Sequence, residues 1–572
     1  MLPKQRLPCC SGGPTKAMDT AASIASPAIG PAALHSRSQW LRSEVAVPAI
    51  GILLVLALQA HLALIKSINW DEFYHFSLIH ASLRGEHVEI LQTPFVWLFG
   101  WVPALPGDTI DHIRVIRLLM LPFELIVVVG IIASARRFTD DGAAFLCGMA
   151  YLTAGFVFTQ GLALRADTIA AALMMMLVAV GLSRPLNAAT GAVSAVLGLL
   201  AFLATIKSLL YLPAVIAVVT SWWKGGAKPS LRIVIFGVVV AGAATGLAAH
   251  LDLLAYVFGK LQNSAERMFG GGILPQGRYF ARQIVASVPF SLLLIMSVVW
   301  LWRSRLDTEH KPALALLMLP VLWPLVYFNA YPYFYAFILA PVAVALAPAI
   351  GLARTRYGTV PLASLLVLNG ALLWAIEPRG HLAVQQDFQA EVRAIFPQPV
   401  EYIDESGMIG DYPRAIGHFA SGWALSNYRH KGEATYLSSV VNGQVVMLIT
   451  NSHALHNIFR PQARGDRVLP ADDAFLRENF IPHSGMIHVA GKQLGPLENR
   501  PSELVATPGL YIVEGGPMRI DGKVYRSRSL VSLSRRKYDL ENLARSATVL
   551  RWAAAGPRRN SQITLQDLFT DY

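Results

Sequence analysis

The stretch "GILLVLALQAHLALIKSINWDEFYHFSLIHASLRGEH", residues 51–87, decides how the rest of the chain is read. Its first half is apolar, and its second half opens on two adjacent acids, Asp71 and Glu72, and closes near Gly85. An apolar run from about 45 to about 66 can cross a hydrocarbon layer of ~30 Å. Similar runs follow near 115–135, 142–160, 168–183, 189–205, 208–223, 231–249, 284–302, 313–329, 333–350 and 358–376. They explain why 54% of the 572 residues are hydrophobic and only 15% are charged, where a soluble chain carries about a quarter charged. The sequence therefore predicts a polytopic α-helical membrane protein of about 11 transmembrane helices.

The net charge of +12 does not mark a nucleic-acid binder, because the basic residues concentrate in short loops between spans. One set of alternate loops holds Arg136, Arg137, Arg184, Lys224, Lys228, Arg232, Arg303, Arg305, Lys311, Arg354 and Arg356. That side is the cytoplasm by the positive-inside rule. The Ala-, Ser-, Pro- and Gly-rich residues 1–43, with Lys4, Arg6, Lys16, Arg37 and Arg42, are read as a disordered cytoplasmic tail. Three cysteines are too few for a disulfide framework.

The outward connections are then 67–114, "QGLALRAD" (160–167), "TIKS" (205–208), 250–283 and everything after 377. In a Gram-negative cell this is a multi-pass inner-membrane protein whose outward side is the periplasm. Residues 44–376 form the membrane domain, and 377–572 are expected to be an α+β, β-rich extracytoplasmic domain. In that domain "VVNGQVVML" (440–448) and "MRIDGKVYR" (518–526) predict hairpins turning at Asn442-Gly443 and Asp521-Gly522. "PGLYIVEG" (508–515) predicts a further strand.

On a helical wheel Phe73, Phe76, Ile79 and Leu83 share one arc, with His75, Leu78 and Ser82 opposite. This predicts a juxtamembrane helix lying along the membrane surface, ended by Gly85. The plain reading of the acids is local: Asp71 as N-cap, and Glu72 in a first turn that favours negative charge. Other outward connections also carry charge at span ends. Arg165 and Asp167 open the fourth span, Lys207 lies between two spans, and Glu266, Arg267, Arg278 and Arg282 surround "FGGGILPQGRYF" (269–280). Snorkelling accounts for any one of these cations alone. Collected on one face, they suit an anionic lipid headgroup, with cations for phosphate and a carboxylate for proton transfer.

"WDEFYHFSLIHASLRGEH" (70–87) followed by "TPFVWLF" (93–99) resembles the first outward loop of the membrane-embedded C-type glycosyltransferases. The branch it is most similar to contains the protein O-mannosyltransferases, aminoarabinose transferases and rhizobial lipopolysaccharide transferases. "RVIRLLMLPFELIVVVGIIASARRF" (114–138), "GLALRADTIAAALMMMLVAV" (161–180) and "YFYAFILAPVAV" (333–344) resemble later spans of the group. The resemblance implies a polyprenyl-phosphate sugar donor, a lipid, glycan or protein acceptor in the cell envelope, and a site at the outer membrane face. It implies Asp71 as general base on the acceptor hydroxyl, Glu72 as its support, and Asp167 as a second acid meeting acceptor or metal. No cofactor follows, and a divalent metal ion stays open. Arg165 and Lys207 would hold the donor phosphate, and Tyr333 and Tyr335 would line the donor groove. The loop 259–283, with Gly270 to Gly272, would order over the donor. Relatives carry a basic residue before the proline of the first loop, where this chain has Gln92-Thr93-Pro94; Lys207 or Arg278 would replace it.

Two features are set aside. Glu72-x-x-His75 has metal-motif spacing but no second copy, and Glu124, inside the second span, has no partner legible in the sequence. Two rival functions remain. A transporter or flippase of a lipid-linked or anionic envelope precursor would show internal repeats and charges at mid-membrane depth, whereas these charges gather at one face. A non-catalytic relative would have no use for both Asp71 and Asp167.

Overall fold

The structure, a computed structural model, describes residues 31–86, 95–224, 268–303, 310–416, 422–460 and 468–569. Within it, Val45–Tyr572 form one compact unit. Among the described residues, five helices are long and apolar enough to cross a membrane: Glu44–Ile65, Thr109–Ala135, Ala166–Ser183, Ile206–Trp223 and Thr359–Ile376. Two bent pairs raise the number to 7 if each is one span: Gly277–Ala286 with Val288–Arg303 at 94°, and Pro332–Ala345 with Ala347–Tyr357 at 63°. Asp141–Leu152, Ala188–Ala204 and Lys311–Leu325 are shorter apolar helices at positions where full spans are expected. The expected span 231–249 lies outside the described residues. The helix Pro31–Ile65 begins inside the stretch read as a disordered tail.

The spans keep apolar side chains on their outside. Leu53, Leu368 and Ile376 are each about two-thirds exposed, and only 22% of the last span is buried inside the protein. A rim this apolar is matched by lipid rather than water. The interior is filled by large side chains such as Tyr151, Tyr211, Phe334 and Phe337, all fully buried.

The run expected at 142–160 is not one helix. It stops at Leu152, turns through Gly155 at φ +52, and restarts as Phe156–Gln160. The turn is held from the 94° corner, where Gln283 accepts from the Phe156 N–H at 2.8 Å and donates to the Ala154 carbonyl at 3.0 Å. A Cβ at Gly155 would fall 2.8 Å from the Gln283 carbonyl oxygen, so glycine is needed there for space as well as for φ.

The C-terminal region is α+β. Its strands are β1 (Tyr402–Ile403), β2 (Met447–Ile449), β3 (Phe480–Ser484), β4 (Ile487–Leu494), β5 (Asn499–Val505), β6 (Gly509–Glu514), β7 (Met518–Ile520), β8 (Lys523–Tyr525), β9 (Leu530–Leu533), β10 (Arg536–Asn542) and β11 (Thr548–Trp552). A seven-stranded sheet runs β1-β2-β4-β11-β6-β9 with β3 also on β4, and a four-stranded sheet runs β5-β10-β7-β8. Only β1 and β2 are parallel among these pairs.

The Asp521-Gly522 turn forms as the sequence predicts: φ is +44 and +80 at the two residues, joining β7 to β8. The "GLYIVE" strand also forms, as β6. The Asn442-Gly443 hairpin does not. Thr435–Asn442 is a helix, and Gly443 caps it at φ −103, outside the range a type I′ turn requires. Tyr436 and Val440, four apart, bury one helical face, and the Glu401 carboxylate accepts from the Gln444 N–H at 2.5 Å. Tertiary burial overrides the local turn signal here.

Candidate active site

The helix Trp70–Leu83 starts with a capping box, but its cap is Asn69 rather than Asp71. The Asn69 side chain accepts from the Asp71 N–H at 2.9 Å, and Glu72 accepts from the Asn69 N–H at 3.1 Å. Arg84 caps the other end, and Gly85 follows at φ +75. The apolar face is not laid on lipid. Phe73, Phe76 and Ile79 are buried in a core shared with Phe388, Val392 and Met408 of the C-terminal region, while Leu83 stays exposed.

With Asn69 taking the capping role, Asp71 points elsewhere. Its carboxylate pairs with the Arg165 guanidinium. Arg165 Nε also donates to Asp167 at 3.2 Å, and Lys207 Nζ donates to the other oxygen of Asp167 at 2.7 Å. Tyr333 lies beneath both cations, its ring centre 3.3 Å from the Arg165 guanidinium carbon and 4.7 Å from Lys207 Nζ. Four separate pieces of chain meet: the surface helix, the start of Ala166–Ser183, the 3₁₀ turn Ile206–Tyr211 and the start of Pro332–Ala345. Each charged side chain keeps a small exposed fraction, from 5% for Asp167 to 16% for Asp71. Two carboxylates and two cations balance, and the aromatic floor favours cations held above it.

Glu72 stands apart from this cluster. It is buried, meets Arg117 Nε at 2.8 Å and accepts from the Leu164 N–H at 2.9 Å. Burial pushes its carboxyl up, but the Arg117 cation outweighs that and holds it below the usual range. Arg117 also donates to the carbonyls of Ala63, Lys66 and Ser67 at 3.1, 2.9 and 2.8 Å. The pair therefore ties the end of the first span, the surface helix and the Arg165 turn together. His75 completes the tie: Nδ1 lies 3.1 Å from the Leu164 carbonyl, which accepts, so that nitrogen carries the proton. Burial, and then Arg165, push His75 down to about 4, so the ring is neutral.

Arg278 is separated from the cluster by a row of three tyrosine rings. Its guanidinium covers Tyr279 at 4.5 Å, and Tyr279, Tyr331 and Tyr333 follow with ring spacings of 5.7 and 6.1 Å. Tyr335 does not join the cluster. Two residues on from Tyr333, it is rotated roughly 200° around the helix, packs on Phe156 at 5.7 Å, and has a hydroxyl without a hydrogen-bond partner among the described residues. Of the glycine loop, 268–283 are described. Leu274 N–H donates to the Leu325 carbonyl at 2.7 Å, and Phe328 N–H donates to Met268 at 2.8 Å. Glu266, Arg267 and the Gln92-Thr93-Pro94 stretch lie outside the described residues.

Among the described residues no three His, Cys, Asp or Glu gather as metal ligands. Asp71 and Asp167 are each matched by a cation. Sequence reasoning missed Arg117. Its signal was present, since an arginine inside an apolar helix normally has a buried partner. Glu124 is fully buried in its span, and both carboxyl oxygens are without hydrogen-bond partners among the described residues.

No protein-family profile and no curated protein matches the chain by sequence. By structure it is similar to ArnT from Cupriavidus metallidurans bound to undecaprenyl phosphate: TM-score 0.51 and 12% identity over 91% of this chain and 100% of that one. The apo form of the same protein gives a TM-score of 0.48 at 13% identity over 72% and 93%. The oligosaccharyltransferase of Archaeoglobus fulgidus gives 0.42 at 12% over 86% and 75%. In fold, this chain is similar to the ArnT structure bound to undecaprenyl phosphate, and its long apolar helices fit a membrane protein.

Proposed function

We propose that this protein transfers a sugar from a polyprenyl-phosphate carrier to a lipid, glycan or protein acceptor at the outer face of the cytoplasmic membrane. The tail would then be cytoplasmic and the C-terminal domain periplasmic. The observation that carries the reading is the convergence of Asp71, Arg165, Asp167 and Lys207 over Tyr333. Membrane-buried charges at one end of a bundle mark a polar ligand, and phosphate is the ligand that Arg and Lys together suit. The ArnT structure similar in fold holds a polyprenyl phosphate.

The chemistry follows from the pairing. In the resting cluster the carboxylates occupy the positions an anion would take. An arriving donor phosphate competes for Arg165 and Lys207 and releases Asp71 from its ion pair. Asp71 then takes the proton of the acceptor hydroxyl while that oxygen attacks the sugar's anomeric carbon from the face opposite the phosphate. The carbon–oxygen bond to phosphate breaks, the cations neutralise the departing charge, and the sugar is transferred with inversion. Asp167 holds the two cations in register. Glu72 acts through Arg117 as a support, and Arg278 is placed to meet the donor at the margin of the site.

The test is transfer by the full-length protein in lipid, using a polyprenyl-phosphate sugar and envelope extract as acceptor. Release of polyprenyl phosphate is expected, and Asp71→Asn should lose it while still binding the carrier. Accumulation of the lipid-linked sugar in a deletion strain would agree. Movement of the intact donor across the bilayer without cleavage would instead establish a flippase.

A further inference from the structure

The C-terminal domain grips the helix that carries Asp71 in two places. At the start of that helix, Gln385 forms a two-way clasp on Ile68: its Oε1 accepts from the Ile68 N–H and its Nε2 donates to the Ile68 carbonyl, both at 2.8 Å. Gln385 is fully buried on the helix His381–Ile395, and its Nε2 also donates to the Leu568 carbonyl at 2.7 Å. The clasped residue directly precedes the Asn69 cap.

At the middle of the helix, the loop after β1 presses on it with bare backbone. A Cβ at Gly407 would fall 2.7 Å from Ser77 Oγ, and one at Gly410 would fall 2.7 Å from the Phe76 ring. Arg414 then reaches across, donating to Ser77 Oγ at 3.4 Å and, through Nε, to Asp404 at 3.1 Å. Asp404 is itself fully buried and accepts from the Gly407 and Met408 N–H groups, each at 2.9 Å. Buried polar clasps of this kind select one arrangement of the parts they join more than they add net stability.

We propose that Gln385 and Arg414 are positioning residues, through which the C-terminal domain holds the Trp70–Leu83 helix so that Asp71 stays in register with Arg165 and Asp167. The inference rests on the transfer reaction proposed above. It assigns the domain a part in assembling the site, whatever else it does for the acceptor. The clasps act where Asp71 is most sensitive, because an error of about 1 Å in the placement of a reacting group can cost ~10²-fold in rate.

The experiment uses full-length Gln385→Met and Arg414→Met in lipid, with a polyprenyl-phosphate sugar as donor. Amide hydrogen exchange over 69–77 should accelerate ~10-fold or more while β11 is unchanged. The kcat should fall ~10- to 100-fold with donor KM within about two-fold, and the loss should vanish in an Asp71→Asn background. Arg414→Lys should recover part of the rate. Unchanged exchange, an unchanged kcat, or a loss that adds to that of Asp71→Asn would each overturn the proposal. If the methionine variants fold poorly, Gln385→Glu and Arg414→Lys carry the same comparison. If the wild-type protein consumes no donor, the reaction reading falls, and hydrogen exchange alone decides whether the domain holds the helix.

Discussion

The guanidinium carbon of Arg165 sits 3.3 Å from the ring centre of Tyr333, with Lys207 sharing the same ring at 4.7 Å. The aromatic face thus supports two cations that two carboxylates neutralise from the side. Tyr333→Phe should keep the face and leave donor KM nearly unchanged. Tyr333→Leu removes it and should raise donor KM roughly 2- to 30-fold, the worth of a cation–π contact of ~0.5–2 kcal/mol. Steady-state kinetics over a donor series check this.

Lys207 contacts Asp167 at 2.7 Å, and the proposed reaction has it hold the donor phosphate. Lys207→Met should weaken carrier binding by about 10-fold or more, as expected for a lost hydrogen bond to a charged group. The effect on kcat should be smaller. Binding of polyprenyl phosphate alone, measured on the same preparation, separates the two.

Asp71→Asn tests the general base. The loss expected for removing such a group is ~10²–10⁴-fold in kcat. Because Asn69 rather than Asp71 caps the helix, the thermal unfolding midpoint should stay close to that of the native chain.

Glu72 gives the opposite result. The Glu72 and Arg117 side chains are only 2% and 5% exposed, so Arg117→Met leaves a buried carboxylate without a cation and should cost about 3–5 kcal/mol. The double variant Glu72→Met with Arg117→Met should regain much of that. Thermal unfolding in detergent reads both.

Acid should loosen the Trp70–Leu83 helix through its two partly buried histidines. His75 and His80 are each held down to about 4, mainly by burial, against an ordinary 6.5. The unfolded chain takes up these protons first as pH drops, so the stability of the neutral rings is complete above pH 6.5 and lost on the way down to about 4. Stability measured from pH 7 to 4 should fall, and His75→Gln with His80→Gln should flatten that fall.

Features written in contiguous residues were legible without a structure. The apolar runs announced the membrane, the Phe73–Phe76–Ile79 arc announced an amphipathic helix, and Asp521-Gly522 announced its turn, because each depends on near neighbours along the chain. Asp71, Arg165, Asp167 and Lys207, which meet in the candidate site, could also be picked out, since charge beside an apolar run is conspicuous. Their roles could not be divided. Asp71 and Glu72 are adjacent and chemically alike, yet one faces Arg165 and the other Arg117. Neighbouring positions on a helix point about 100° apart.

The sequence by itself determined that the chain lives in a bilayer and where its polar residues interrupt the apolar runs, because hydrophobic burial is set by composition over a window. Only the tertiary structure decided which of those residues meet. Gln385 clasps a backbone 317 positions away, and Asn442-Gly443 ends a helix because Tyr436 and Val440 needed burial. Contacts of that kind are fixed by how separate elements pack, and local residue patterns hold no record of it.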